Sequence, residues 1–193
     1  MVVFTGDRGD LLGGHEMWEK NLLWEEAEHV PLIIRGPGIA RGKVSKKMVE
    51  MIDLYPTLTE MAGLPHYARN EGFSFASLLR NPNDPAWDRP AFSQIVGGRS
   101  VRYGPWRYTE WVNGKLGREL YNLEEDPLSH RNLANEADQA ATVARLAAML
   151  PQGEVEDRPG YTATDPRNPH PGRGNPPFPM VPNTGNCAHW GVG

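Results

Sequence analysis

The stretch Val2-Val3-Phe4-Thr5-Gly6-Asp7-Arg8-Gly9-Asp10 is a β-type apolar run that stops at a polar, glycine-punctuated loop. Open α/β sheets hold their ligands in loops at strand ends, so this loop is the first place to look for chemistry. The carboxylate of Asp7 is a hard oxygen ligand of the kind calcium takes, although a solvated turn aspartate has the same sequence. One strand cannot form a sheet. With nothing before it to pair with, Val2 to Phe4 is expected to be a buried strand whose neighbours lie upstream of the given sequence.

Downstream, the spacing of Leu22, Leu23 and Trp24 among acids predicts a helix over residues 21–28, which Pro31 separates from an apolar strand, Leu32-Ile33-Ile34. An unbroken apolar run suits a strand covered on both faces, and Gly36-Pro37-Gly38 ends it. Asp53 is placed to cap a helix reaching about Ala62, with Leu54, Leu58 and Met61 on one face and Gly63 as terminator. Residues 65–90 read as a surface excursion with a short helix near 75–79.

From Ala91 the pattern changes to short strands at 92–96, 100–103, 106–112 and 119–122, separated by Gly97-Gly98, Gly104-Pro105 and Asn113-Gly114. This predicts a small antiparallel sheet. Ala140, Val143, Leu146, Ala147 and Leu150 recur at helical spacing before Pro151 and are expected to pack on it. The division follows as 1–90 (part of an α/β domain), 91–150 (an antiparallel subdomain with its helix) and 151–193, a Pro/Gly-rich tail with too few apolar residues to offset the entropy of ordering.

Composition narrows the function. Hydrophobic residues make up 39% of the 193, enough for a buried core, and the formal charge of -4 argues against a nucleic-acid binder, which needs a surplus of Lys and Arg. No run is long and apolar enough to span a membrane. The one cysteine, Cys187, excludes an intrachain disulfide framework. Neither Cys187 with His189 nor any Ser-His-Asp spacing makes a case for a nucleophile, and the tripeptide Arg8-Gly9-Asp10 is short enough to arise by chance.

Several ordered blocks resemble the sulfatase family of the alkaline-phosphatase superfamily, closest to its iduronate-2-sulfatase branch. Gly6 to Lys20 is similar to the block Asp-His-Gly, Leu-Gly, His, Trp-x-Lys. Glu25 to Ile34 followed by Gly36-Pro37-Gly38 resembles the family's helix-to-strand passage, and Asp53-Leu54-Tyr55-Pro56-Thr57-Leu58 its next signature. Arg107-Tyr108-Thr109-Glu110-Trp111, Glu119-Leu120-Tyr121 and Glu125-Asp126-Pro127-Leu128 resemble its C-terminal subdomain.

The resemblance implies a fold: an α/β mixed sheet with flanking helices, here its C-terminal part, plus a small antiparallel sheet carrying a helix. It also implies a reaction, the hydrolysis of carbohydrate or small-metabolite sulfate esters by a formylglycine made from Cys/Ser-x-Pro-x-Arg, assisted by calcium. The 193 residues contain no such motif, so a partial sulfatase is expected, inactive alone and poorly soluble, from a truncated gene or split frame, with the missing N-terminal half as a possible partner.

On this resemblance Asp7 is the metal ligand, and Lys20 contacts the sulfate with His15 and Arg8 assisting. Arg8 departs from the family's His or Asn. A guanidinium has no lone pair for a metal, so the departure implies that calcium binding is weakened or absent. A sulfated small molecule or glycan is the implied substrate, and a periplasmic, secreted or lysosomal location is expected. A non-catalytic glycan-binding module using Lys20 with Arg99, Arg102, Arg107 and Lys115, and a phosphatase or phosphonate hydrolase of the same superfamily, are the alternatives.

Overall fold

The computed structural model describes residues 1–20 and 22–151; the tail expectation lies outside them. The chain runs through β1 (Val2–Thr5), β2 (Leu11–Leu12), β3 (Trp18–Glu19), α1 (Glu25–Glu28) and β4 (Leu32–Arg35). It continues through α2 (Leu54–Met61), α3 (Ala76–Arg80), the strands β5 (Ala91–Ile95), β6 (Gly98–Tyr103), β7 (Trp106–Trp111) and β8 (Arg118–Asn122), and α4 (Ala140–Ala147).

β5 to β8 form an antiparallel meander in chain order, as the turn residues imply. Its register carries Val101 opposite Tyr108 and Tyr108 opposite Leu120, so three large apolar side chains line one face. Val143, Leu146 and Leu150 close that face, and Val101, Tyr108, Leu120 and Leu146 are fully shielded from water. Gly98 opens β6 for a steric reason: a Cβ there would stand 2.7 Å from the Trp111 ring and 2.8 Å from Leu23.

β1 pairs antiparallel with β4, from Val2 opposite Arg35 to Thr5 opposite Leu32. β1 thus has a downstream partner on one of its edges. One expectation is corrected here: within the given chain neither strand is covered on both faces, with Val2, Phe4 and Ile33 67%, 60% and 61% exposed. The period-two side-chain alternation of a strand turns Leu32 and Ile34 inward, onto Phe75, Leu78 and Trp87, and leaves the alternate positions uncovered.

Two helix readings also change. α1 begins only at Glu25, because Trp24 is extended and its side chain is committed to the core. Asp53 does not cap α2 with its side chain; Glu50 and Asp53 instead form a capping box around a 3-10 turn, Met51–Asp53. The Asp53 carboxylate accepts from the backbone of Glu50 at 3.0 Å and of Phe73 at 2.7 Å, so this buried acid stitches the 65–75 excursion to α2.

A third cluster joins Leu11, Leu22, Trp24 and Ala27 to Tyr121 and Leu123 of the meander. Apolar contacts therefore cross the expected boundary near residue 90.

Candidate anion-binding site and its scaffold

β2 and β3 form a short hairpin whose antiparallel register pairs Leu11 with Glu19 and Leu12 with Trp18. Asp10 precedes β2 and Lys20 follows β3, so the two leave the open end of the hairpin. Asp7, Arg8 and Lys20 are all exposed.

The hairpin is held at both ends. At its root Leu11 is 1% exposed within the cluster of Trp24, Ala27 and Tyr121. Beside it the Gly9 N–H donates to the Ala27 carbonyl at 2.8 Å, and a Cβ on Gly9 would meet the Glu26 carbonyl at 2.5 Å, an approach only glycine allows. At its tip His15 has a left-handed backbone, φ 51°. Its imidazole stacks on the Trp24 indole with centroids 4.0 Å apart and meets His130 edge-on at 5.8 Å.

His15, which the resemblance implies as an assistant in anion binding, is packed into this scaffold. Its side chain is 8% exposed and lies 3.4 Å from a Glu26 carboxylate oxygen. Burial pushes its pKa down, against the opposing attraction of Glu26, with the neighbouring His130 acting in the same sense as burial. Trp18 stands 77% exposed, because the register that buries Leu11 turns Leu12 and Trp18 outward.

Residues beyond the motif hold this scaffold to the meander. Arg107 donates to a Glu25 carboxylate oxygen at 2.6 Å from Nη2 and 3.2 Å from Nε, and Arg102 adds 3.3 Å. Burial raises the pKa of Glu25, but the charge and hydrogen bond of Arg107, followed by Arg102 and His29, outweigh it and the net shift is down. Glu119 accepts from the indoles of Trp111 at 2.7 Å and Trp24 at 3.2 Å and from the Tyr121 hydroxyl at 3.0 Å. Burial holds its carboxyl above the usual range, despite those three donors.

The sequence signal for this network was an acid two residues before a tyrosine in β8, Glu119 and Tyr121, legible only once the partners are known. It also disposes of the basic-strand face: Arg99 and Arg107 are buried at 7% and 4%, and Arg102 is turned onto Glu25.

The donor set does not by itself make a calcium site. Asp7 offers one oxygen ligand and Arg8 none, and among the described residues no three His, Cys, Asp or Glu stand together to hold a metal ion. Among the same residues no helix is long and apolar enough to cross a membrane.

The chain is a mixed α/β fold with a helix-backed antiparallel meander, and its solved structural neighbours include sulfatases of the alkaline-phosphatase-like fold. Residues 13–156 match the model of N-sulphoglucosamine sulphohydrolase, C-terminal, and the chain belongs to that family. It is 32% identical over 149 residues to arylsulfatase K of Danio rerio, covering 70% of this chain and 28% of that protein. It is 31% identical over 186 residues to a Delta 4,5-hexuronate-2-O-sulfatase of Bacteroides thetaiotaomicron, covering 86% of this chain and 38% of that one.

A structure solved in complex with its substrate D-glucosamine-2-N,6-O-disulfate superimposes with a TM-score of 0.71 at 26% identity, over 77% of this chain and 32% of that one. The chain thus spans about a third of the length of the relatives it matches.

Proposed function

We propose that this chain forms one wall of a sulfate-ester-hydrolysing centre acting on sulfated glycans or small sulfated metabolites, with Lys20 as its anion contact. The observation that supports the reading is the β2–β3 hairpin, from whose open end Asp10 and Lys20 both leave. An ammonium on a flexible stem there acts as a point charge on a sulfate oxygen. Arg8 adds a second, permanent positive charge, and Asp7 a carboxylate suited to calcium if residues outside this set complete the coordination. A nucleophile has to come from elsewhere, because the sequence holds no Cys/Ser-x-Pro-x-Arg.

The relatives named for sulfatase activity support the reaction class, and the one named for hexuronate 2-O-sulfate supports glycans as substrate. The family also supports a secreted, periplasmic or lysosomal setting. The glycan-binding alternative loses Arg99, Arg102 and Arg107, which are turned inward, and keeps the exposed Lys20 and Lys115.

The test is reconstitution. The chain is co-expressed with the N-terminal two-thirds of a sulfatase relative that lacks its own C-terminal third, and hydrolysis of an aryl sulfate is followed. Wild-type chain restores turnover, and Lys20→Met lowers kcat about 100-fold, as expected for removing one preorganised charge from a developing anion. Full activity with Lys20→Met removes the assigned role, and turnover by the chain alone, co-purifying with it, removes the shared-wall reading. Calorimetric titration of the assembly with calcium addresses Asp7: a tight stoichiometric site would show that Arg8 does not impair the metal.

A further inference from the structure

The chain has a formal charge of -4, yet residues 30–49 hold Arg35, Arg41, Lys43, Lys46 and Lys47 and no acid. Arg35, Arg41, Lys43 and Lys46 are exposed, and Lys47 is partly so. Among the described residues none of the five enters an ion pair, whereas Arg80, Arg102, Arg107 and Arg131 all meet glutamates. Asp84 is close enough to feel Lys47, but its carboxylate already accepts from Ser77 and from the Ala86 N–H at 3.0 Å. Like charges gathered this way repel one another, and an external polyanion relieves that repulsion.

The cations stand on a tied loop. Residues 36–50 form neither helix nor strand, but the Ala40 N–H donates to the Leu79 carbonyl at 2.8 Å and the Ser45 hydroxyl to the Pro82 carbonyl at 2.7 Å. The Trp87 indole donates to the Met48 carbonyl at 2.8 Å. Arg41, Lys43, Lys46 and Lys47 all lie between the first and last of these anchors, so their backbone is held while their heads reach water. A ligand then meets charges that are already ordered, which lowers the entropic cost of binding.

The loop is also distinct from the candidate site around Lys20. Arg35 ends β4 opposite Val2, whereas Asp7 follows Thr5 at the other end of the β1–β4 pair. The segment then returns along the 79–87 stretch to the Thr5 end, where the Thr5 hydroxyl donates to the Met51 sulfur at 3.9 Å.

The residue types narrow the ligand. Residues 35–49 contain no Phe, Tyr, Trp or His on which a base could stack, and no helix or paired strand lies in residues 36–49 to enter a duplex groove. Val44, 83% exposed, is too little apolar surface to anchor a lipid bilayer. Ammonium and guanidinium groups spread over an extended segment of up to about 20 Å suit sulfates and carboxylates repeated along a sugar chain.

We propose that residues 41–47, with Arg35, form an exosite that holds a sulfated glycan chain apart from the ester-binding wall around Lys20. The choice of a sulfated glycan over other polyanions rests on the functional reading above, and the charge cluster itself does not.

The test is a titration of the full chain into a fluorescent heparin octasaccharide, followed by anisotropy. Binding weakens about 10-fold or more between about 50 and 200 mM salt, as for a linear polyanion that releases counterions. Replacing the four loop cations together (Arg41→Ser, Lys43→Ser, Lys46→Ser and Lys47→Ser) weakens it about 30-fold. Exchanging them within their charge (Arg41→Lys, Lys43→Arg, Lys46→Arg and Lys47→Arg) keeps it within about 3-fold, which separates charge from a change in loop structure. Lys20→Met leaves it within about 2-fold, because that lysine lies outside the exosite.

Wild-type affinity in the four-serine variant would overturn the proposal, and so would a loss in Lys20→Met equal to that of the four-serine variant. Equal affinity for the fully desulfated octasaccharide would overturn it as well. Tighter binding to single-stranded DNA of matched charge, or to phosphatidylserine vesicles, would remove the sulfated glycan as occupant. The titration needs no turnover, so a failed reconstitution would remove the enzymatic reading while leaving this result standing.

Discussion

In the β5–β8 meander Val101, Tyr108 and Leu120 are wholly shielded, whereas Val2, Phe4 and Ile33 in the β1–β4 pair keep 60–67% of their surface in water. The strands are made of similar residues. The difference is cover: α4 closes one face of the meander, while α3 and Trp87 back only the inner face of β1–β4. An apolar strand is stabilised by what lies on it and not by its own composition, so the meander holds most of the buried core while the outer face of β1–β4 contributes little.

That contrast can be broken most directly in the meander. Leu120→Ala removes a side chain at the centre of the α4 cluster and is expected to cost about 3–4 kcal/mol in urea unfolding. A loss below about 1 kcal/mol would mean that the meander does not hold the core. Arg107→Met strands Glu25 against the sheet and is expected to cost about 2–3 kcal/mol near pH 7, discounted from a fully buried pair because Glu25 keeps some solvent contact. A double-mutant cycle with Glu25→Gln should recover part of that loss, and strict additivity would show the pair to be uncoupled.

The pH dependence sharpens the same comparison. The lowered pKa of Glu25 gives stability that is present above the unfolded carboxylate range and is lost as pH falls through its folded value. Glu119 has the opposite sign: its raised pKa means that folding takes up a proton, so its contribution improves as pH falls through its folded value. Arg107→Met should therefore flatten the acid limb of a melting-temperature profile. An unchanged limb would remove Glu25 as its source.

His15 adds a separate dependence on pH. Its pKa is depressed in the fold, so stability declines as pH drops below the unfolded imidazole value near 6.5 and levels off below the folded one. His15→Phe keeps the stack on Trp24 and should abolish that decline, whereas a decline that persists would point to another group. The smallest effect belongs to the open face. Phe4→Ser should shift stability by no more than about 0.5 kcal/mol while improving solubility at high concentration, and a loss above about 2 kcal/mol would mean that the face is covered in solution.

Sequence alone determined the order of β1, α1, β4, α2 and α3, the meander and its turns, the α4 stripe and the family, but not the β2–β3 hairpin, because turn chemistry and side-chain period are local properties and ordered motifs persist along a chain. Lys20 and Asp7 were legible as candidates for the same reason. Tertiary structure decided which face of each strand is wet, that β1 pairs with β4, that His15 is packed away while Trp18 is exposed, and that Asp53 and Glu119 serve as buried acceptors. Those outcomes depend on which distant residues arrive opposite, as Glu119 meets Trp24 across the sheet, and a hydrogen bond or contact between residues so far apart leaves no periodicity in either segment.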